Sequence, residues 1–372
     1  MMTVASPQLD QTFMAEAIRL SLTHLGLTST NPSVGCVIVK DGVVVGRGVT
    51  AEGGRPHAET QALAEAGEAA RGATAYVTLE PCSHYGKTPP CAEALIAYGV
   101  ARVVVSVTDP DQRVSGRGIK MLREAGIEVE TGVLEIEGRR ALAGYLMRQT
   151  RNRPYVTLKL AVSADGMIGR VGEGQVRITG DLARKQVQML RAESDAILVG
   201  IGTAIADDPE LTCRLPGLED RTPLRIVIDE DLQLPLASKL VKTARQYPVI
   251  AVAGHQPPFD ENTDSAFLGR RAALDAAGVE VLQSNVDEPG ELLEALGTRG
   301  ISSLLVEGGA KTARRFLAAD LVDRILLFQG PVTIGAGGIE SPVAKSNIPP
   351  SFMHIGESQF GDDRCDEYER GL

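Results

Sequence analysis

The feature that most constrains this chain is a set of metal-binding residue types in a fixed order. His57-Ala58-Glu59 is followed by Pro81-Cys82 and then by Cys91, after eight intervening residues. One imidazole and two thiols brought to a point hold zinc through three protein ligands and leave its fourth position open to water. Zinc lowers the pKa of water from about 15.7 toward roughly 7, so hydroxide is available at neutral pH. Two thiolates, Cys82 and Cys91, offset the charge of the dication. Glu59 is not a ligand in this scheme; its carboxylate carries a proton from the water to a departing amine. The pattern is that of a hydrolytic zinc deaminase, and it demands a fold in which two distant segments meet.

Local sequence around these residues predicts how they meet. Gly35-Cys-Val-Ile-Val-Lys40 reads as a strand, Asp41-Gly42 as a hairpin turn and Val43-Val44-Val45 as the return strand. Helix formers from His57 to Ala66, ending at Gly67, predict a helix whose first turn presents His57 and Glu59. Ala75 to Glu80 is a further strand, with Pro81-Cys82 at its end. Both halves of the metal site are therefore expected at helix starts after strands, where free N–H groups and the helix dipole favour thiolates. Cys36, Cys213 and Cys365 lack partner spacing and read as structural.

The first half continues with a helix near 10–25, strands near 102–107 and 127–131, and helices near 91–98 and 116–125. Arg139 to Arg153 reads as a basic connecting segment or a surface helix leading into the second domain, and the expected boundary places one domain at 1–150 and a second at 151–372. Strands in the second half are expected at 155–161, 196–199, 225–228, 249–252, 279–282, 303–306 and 324–328, with helices at 181–193, 265–277, 289–298 and 310–319. The polar residues 361–372 read as a disordered tail. Gly200-Ile201-Gly202-Thr203 and Glu307-Gly308-Gly309-Ala310 each follow a strand and open a helix, which suits backbone N–H groups approached by a pyrophosphate.

Net charge is −10, divided as −2 over residues 1–150 and −8 over the rest. Neither half carries a basic run able to hold a nucleic-acid backbone, so no nucleic-acid partner is expected. No apolar run approaches the roughly 20 residues needed to span a bilayer, so no membrane association is expected. Residues 1–11 lack a basic-then-apolar secretory pattern, and five cysteines, two of them metal-like, fit a reducing cytoplasm.

The loop between the two metal-site cysteines is longer than the Cys-x-x-Cys of many nucleobase deaminases. The stretch Thr78-Leu-Glu-Pro-Cys-Ser-His-Tyr-Gly-Lys-Thr-Pro-Pro-Cys91 closely resembles the deaminase half of the bifunctional riboflavin-biosynthesis deaminase–reductase family, as does Asn31-Pro-Ser-Val-Gly-Cys36. The likeness continues through Lys159-Leu-Ala-Val-Ser-Ala-Asp-Gly166, Leu190-Arg191-Ala192, Ala206-Asp-Asp-Pro-Glu-Leu-Thr212 and Val306-Glu-Gly-Gly309, covering nearly the whole chain.

The resemblance implies an α/β protein: an N-terminal three-layer α/β/α cytidine-deaminase-like domain and a C-terminal dihydrofolate-reductase-like domain. It implies zinc on His57, Cys82 and Cys91, with Glu59 as proton shuttle. The first reaction would deaminate 2,5-diamino-6-ribosylamino-4(3H)-pyrimidinone 5′-phosphate. The second would use NADPH to reduce the ribosyl side chain to ribityl. Asn31, His84, Lys87, Asp109 and Asp111 match or neighbour positions that hold this small phosphorylated pyrimidine. Lys87 is the expected phosphate partner, and Asp109-Pro110-Asp111 is also good turn chemistry.

In the second half the resemblance implies NADPH contacts at Ala161, Thr203, Asp207 and Gly309 to Arg315, that is Gly309, Ala310, Lys311, Thr312, Ala313, Arg314 and Arg315. It implies substrate contacts at Arg191, Leu211, Arg214 and Glu307, with Arg191 and Arg214 suited to a phosphate by their forked guanidinium groups. Lys159 is expected to face substrate as well. Family habit adds a homo-oligomer.

Two stretches depart from the family pattern. Ser163-Ala164-Asp165-Gly166 has alanine where leucine is usual, and Arg177-Ile178-Thr179 has arginine where tryptophan is common. Arg177 is expected to stack on a ring or meet a phosphate instead. Two other readings stay open at this level. One is a deaminase with a non-catalytic C-terminal binding or regulatory module, separated by NADPH-dependent stabilisation. The other is a nucleic-acid base deaminase, separated by polynucleotide binding that falls steeply with salt.

Overall fold

The computed structural model describes residues 7–86, 88–111, 114–254 and 261–371. These form two compact units, Met1–Asn152 and Arg153–Leu372.

The first unit begins with α1 (Pro7–Leu22), β1 (Gly35–Lys40), β2 (Val43–Val49), α2 (Ala58–Ala66) and β3 (Thr74–Leu79). It continues with α3 (Cys91–Ala97), β4 (Arg102–Val107), α4 (Arg117–Glu124), β5 (Glu128–Thr131), α5 (Glu135–Ala141) and α6 (Ala143–Arg151). The sheet order is β2-β1-β3-β4-β5. Strand β1 is antiparallel to both neighbours, and β3, β4 and β5 run parallel. Alternate side chains serve opposite faces, as a pleated strand requires. Val37, Val39 and Tyr76 pack with Met14 and Ile18 of α1, while Ile38 and Val77 pack with Leu63 of α2, Leu95 of α3 and Leu122 of α4. Helices on both faces make the three layers expected.

Two local features place α2. Asp41 and Gly42 have φ of 50° and 79°, so the hairpin turn is of the type that matches strand twist. On β2, a Cβ at Gly46 would stand 2.2 Å from the Ala62 carbonyl oxygen, and one at Gly48 would stand 2.0 Å from that of Ala58. Glycine at both positions lets the backbone of α2 lie directly on the strand, which fixes the helix start that carries His57 and Glu59.

The segment read as a connection or a surface helix, 139–153, is occupied largely by the end of α5 and by α6. The surface-helix reading is the one the structure bears out: none of the residues of α6 is fully buried, and Tyr145 and Leu146 pack on the core.

The second unit contains β6 (Tyr155–Val162), β7 (Met167–Arg170), α7 (Asp181–Ala192), β8 (Ala196–Gly200), α8 (Ile201–Asp207), β9 (Leu224–Ile228) and α9 (Lys239–Lys242). Next come β10 (Val249–Ala253), α10 (Glu261–Ala277), β11 (Glu280–Gln283), α11 (Pro289–Thr298), β12 (Ser303–Val306) and α12 (Ala310–Ala318). It ends with β13 (Arg324–Gln329), β14 (Gly338–Glu340), β15 (Phe352–Phe360) and β16 (Asp363–Arg370). The main sheet has the order β11-β10-β9-β8-β12-β6-β13-β16-β15, and β7 pairs with β14. Neighbours from β11 to β13 are parallel; β16 and β15 close the edge as an antiparallel hairpin. Apolar cores cover both sheet faces.

The expected disordered tail is wrong for residues 361–371. Strand β16 lies between β13 and β15, with Cys365 and Tyr368 buried. Its polar content misled because the charges are paired: the fully buried Asp366 carboxylate meets Lys345 at 3.0 Å, Arg364 at 2.9 Å and His354 at 3.2 Å. A buried carboxylate surrounded in this way satisfies its lone pairs from neighbouring strands and loops.

Among the described residues no helix is long and apolar enough to cross a membrane.

Candidate active sites

In the first unit, His57 is the N-cap of α2, in extended conformation, and Glu59 lies in the first turn of that helix. Cys91 is the first residue of α3, behind Pro90 at its N-cap. Cys82, expected at a helix start, instead sits in the loop that leaves β3. The helix-start argument still applies to it indirectly, because the Cys91 N–H donates to the Cys82 sulfur at 3.2 Å.

His57 Nδ1 lies 3.7 Å from Cys82 Sγ and 3.3 Å from Cys91 Sγ, and the three donor atoms fall within 4.8 Å of one another. Tetrahedral zinc with ordinary Zn–S and Zn–N bonds separates such atoms by roughly 3.5 Å. Donor types and spacing therefore fit zinc. The hydrogen bond from the Cys91 thiol, with help from His57 and the Cys91 N–H, holds the Cys82 thiol down to about 4. The same interaction with Cys82, together with burial, pushes Cys91 up. Hydrogen bonding to Cys82 raises His57.

Glu59 is 4% exposed, and burial followed by the Cys82 charge pushes its carboxyl up to about 7. A carboxyl poised there takes and returns a proton at neutral pH.

A cleft of about 220 Å³ opens onto this group, lined by Asn31, His57, Glu59, Cys82, His84, Asp109 and Asp111 among others. The expected metal, shuttle and substrate positions of the first half thus converge, except Lys87, which lies outside the described residues. His84 Nδ1 is buried with no hydrogen-bond partner among the described residues. Asp109 accepts from the Asp111 N–H at 2.9 Å, the turn contact expected, and from the Tyr145 hydroxyl at 3.0 and 3.1 Å. The loop holding both aspartates is tied to the strand end before Cys82. The buried Glu80 carboxylate accepts from the N–H groups of Asp109, Gly116, Gly118 and Ile119 at 3.0–3.3 Å.

Tyr145, Arg148 and Gln149 of α6 also line the cleft, as does Arg55. None was singled out in the sequence. The α6 residues are spaced as one helical face, which was the available signal.

In the second unit, β8 and β12 are adjacent and parallel, and each leads through glycine into a helix, α8 or α12. The Gly309 N–H donates to Thr203 Oγ1 at 3.1 Å, so two expected cofactor positions meet. A Cβ at Gly308 would stand 2.8 Å from Thr312 Cβ, and one at Gly309 would stand 2.9 Å from Thr203 Oγ1. A Cβ at Gly200 would likewise stand 2.5 Å from Thr312 Oγ1, so glycine at 200 and 309 lets the two loops approach, while Gly308 makes room for the first turn of α12. A Cβ at Gly202 would meet nothing within 4 Å, which leaves that backbone open to a ligand. The paired helix starts fit the phosphates of NADPH. Ala313 is packed in the core and Arg315 bonds Asp287 at 2.5 Å, whereas Lys311 and Arg314 are exposed. Ala161 is half-buried on β6, and burial raises the carboxyl of Asp207 at the end of α8.

Arg191 and Glu307 are joined bidentately at 2.8 and 3.0 Å, each 11% exposed, and Arg191 also donates to the Thr212 carbonyl at 3.2 Å. Its fork is thus engaged within the protein, and the expected role in gripping phosphate passes less well to it than to Arg214, which is 55% exposed and bound to Glu210. Leu211 is buried, with φ of 55°. Burial pushes Lys159 below the usual lysine range, beside Glu307 and Arg191, and its Nζ lies 5.7 Å from the Phe328 ring centroid. Arg177 pairs with Asp181 at 2.9 Å and is 61% exposed. Breaking the buried pair leaves a charge unmatched. Glu307→Leu is expected to destabilise the second unit by about 3–5 kcal/mol in denaturant titration, with much of the loss recovered in the Arg191→Leu/Glu307→Leu double variant.

Residues 154–363 match the model of the RibD C-terminal domain, and residues 7–107 match that of the cytidine and deoxycytidylate deaminase zinc-binding region. The riboflavin biosynthesis protein RibD of Aquifex aeolicus is 41% identical over 330 residues, covering 89% of each chain. That of Escherichia coli K12 is 39% identical over 339 residues, covering 88% of this chain and 89% of its own. Among solved structures, Acinetobacter baumannii RibD superposes with a TM-score of 0.84 at 35% identity, covering 99% of this chain and 100% of that one. The diaminohydroxyphosphoribosylaminopyrimidine deaminase/5-amino-6-(5-phosphoribosylamino)uracil reductase of Thermotoga maritima gives 0.84 at 32% identity, covering 98% and 99%.

Proposed function

The chain belongs to the RibD family of bifunctional riboflavin-biosynthesis deaminase–reductases, and from that premise we propose how its residues divide the two reactions. Residues 1–150 carry the deaminase and 151–372 the reductase. Family membership sets aside both the non-catalytic C-terminal module and the nucleic-acid deaminase.

In the deaminase, His57, Cys82 and Cys91 hold the zinc. When bound, it supplies a Lewis acid that brings the pKa of water toward roughly 7. The Glu59 carboxylate takes the proton of the attacking water and passes it to the 2-amino nitrogen, which leaves as ammonia. His84 and Asn31 orient the pyrimidine, and Asp111 with the Tyr145-braced Asp109 closes the cleft wall. Lys87 adds a cation for the substrate phosphate. The observation that carries this reading is the His57 Nδ1 atom 3.7 and 3.3 Å from two thiols, with buried Glu59 in the same cleft.

In the reductase, NADPH supplies hydride for the ribosyl-to-ribityl step. Thr203, Asp207 and the first turn of α12 position the cofactor. Ala161 lies on the cofactor side, and Arg214, Lys159, Leu211 and the Arg191–Glu307 pair shape the substrate side. The protein sets distance and orientation, and the hydride chemistry belongs to the cofactor.

The test is product identification by mass after incubation with freshly generated diaminopyrimidine ribosyl phosphate. A deaminated ribosyl product without NADPH and a ribityl product with it support both assignments. Deamination that stops at the ribosyl compound with NADPH present would remove the second. The five unpaired cysteines are in keeping with a cytoplasmic enzyme, and sedimentation of the purified chain tests the expected homo-oligomer.

A further inference from the structure

Arg55 stands two residues before His57 and lines the deaminase cleft. Its guanidinium reaches across to the loop that follows β3, where Nη1 donates to Thr88 Oγ1 at 2.6 Å. Gly86 leaves room for it, since a Cβ there would stand 3.1 Å from Arg55 Nη2. No carboxylate among the described residues pairs with Arg55. A guanidinium has five N–H donors, and only one hydrogen bond of Arg55 is formed within the described residues.

The acidic groups of the cleft do not supply the missing partner. Glu80 is engaged by four backbone N–H groups, and Asp109 by Tyr145 and the Asp111 N–H. These carboxylates and Glu59 would repel an anionic substrate unless cations held its charged end, and besides Lys87 the cleft offers Arg55 and Arg148, the latter donating to the Thr30 carbonyl. A forked guanidinium, oriented by Thr88 and otherwise unspent, is matched to a phosphate.

We propose that Arg55 binds the 5′-phosphate of the deaminase substrate and makes the cleft selective for the phosphorylated over the dephosphorylated compound. Thr88 orients the guanidinium. This rests on the reading of the first unit as a deaminase of a phosphorylated pyrimidine.

The test compares the zinc-loaded enzyme with its Arg55→Gln and Arg55→Lys variants on the phosphorylated substrate and on the same compound after phosphatase treatment. Zinc content is measured for each. With Arg55→Gln, kcat/KM for the phosphorylated substrate is expected to fall about 10- to 100-fold, mainly through KM, as for loss of a charge-assisted hydrogen bond. For the dephosphorylated compound it should change by less than about threefold, and Arg55→Lys should recover part of the preference. An equal loss on both substrates would make Arg55 a brace for the 84–89 loop and overturn the proposal, as would an unchanged KM for the phosphorylated one. A wild-type enzyme that deaminates both equally well overturns it too. A wild-type enzyme that deaminates neither refutes instead the deaminase reading on which it rests.

Discussion

Replacing Glu59 with Gln is expected to abolish most deamination while leaving zinc in place. The side chain is 4% exposed in the first turn of α2, beside the three metal-ligand candidates, and glutamine preserves its shape. What glutamine loses is the ability to accept a proton from water and deliver it to the leaving nitrogen. Such transfers account for about 10²–10⁴-fold in rate, and a loss of that size is the expectation. Reduction of supplied deaminated intermediate should persist. Deamination surviving at the wild-type rate, or zinc lost with the substitution, would strip Glu59 of the role. The variant also has a stability signature in the metal-free protein. Burial pushes this carboxyl from its ordinary value of 4.5 up to about 7, so the folded state binds the proton more tightly than the unfolded. That contribution is complete below about 4.5 and lost as pH rises through about 7. Metal-free wild type should therefore lose more stability than Glu59→Gln between pH 5 and 8, as read from melting temperatures.

The second large effect is expected from Cys82→Ala, which should release zinc and end deamination altogether. Cys82 is the thiol held down to about 4, by the Cys91 hydrogen bond first and then by His57 and the N–H at the start of α3. Its thiolate form is therefore favoured at neutral pH. Removing it leaves one nitrogen and one sulfur donor, two short of tetrahedral coordination before water is counted. Zinc bound only to the folded state stabilises it by about 4 kcal/mol when free metal is a thousandfold above Kd. A fall in stability of that order is expected for Cys82→Ala and for the chelated wild type alike. The first unit has an apolar core of its own, so destabilisation rather than complete unfolding should follow. Full zinc occupancy in Cys82→Ala, measured by elemental analysis, would show that the metal is held by other residues.

The metal ligands were legible because few residue types bind zinc and because each stands beside an unambiguous local element. The hairpin at Asp41-Gly42, most strands of both units and the glycine turns into α8 and α12 were legible for a related reason. Apolar periodicity and positive-φ residues report the backbone's own environment. Polar partnerships were not readable in this way. Arg191 looked available for phosphate, yet Glu307, 116 positions on, engages its fork. The strand β16 looked like a polar tail, yet Asp366 is enclosed by Lys345, His354 and Arg364. The helix α6 looked like a connection or a surface helix, yet it brings Tyr145 to Asp109.

The sequence by itself therefore determined the two-part α/β organisation, the residues able to hold zinc and the carboxylate able to move a proton, since each follows from residue chemistry and short-range periodicity. Tertiary structure alone decided which polar groups are already spent and which, like the Arg55 guanidinium, still have donors to offer. The physical reason is that a hydrogen bond is a short-range, directional contact. Its partner is chosen by how strands and helices far apart in the chain are packed, and no local pattern of residues encodes that choice.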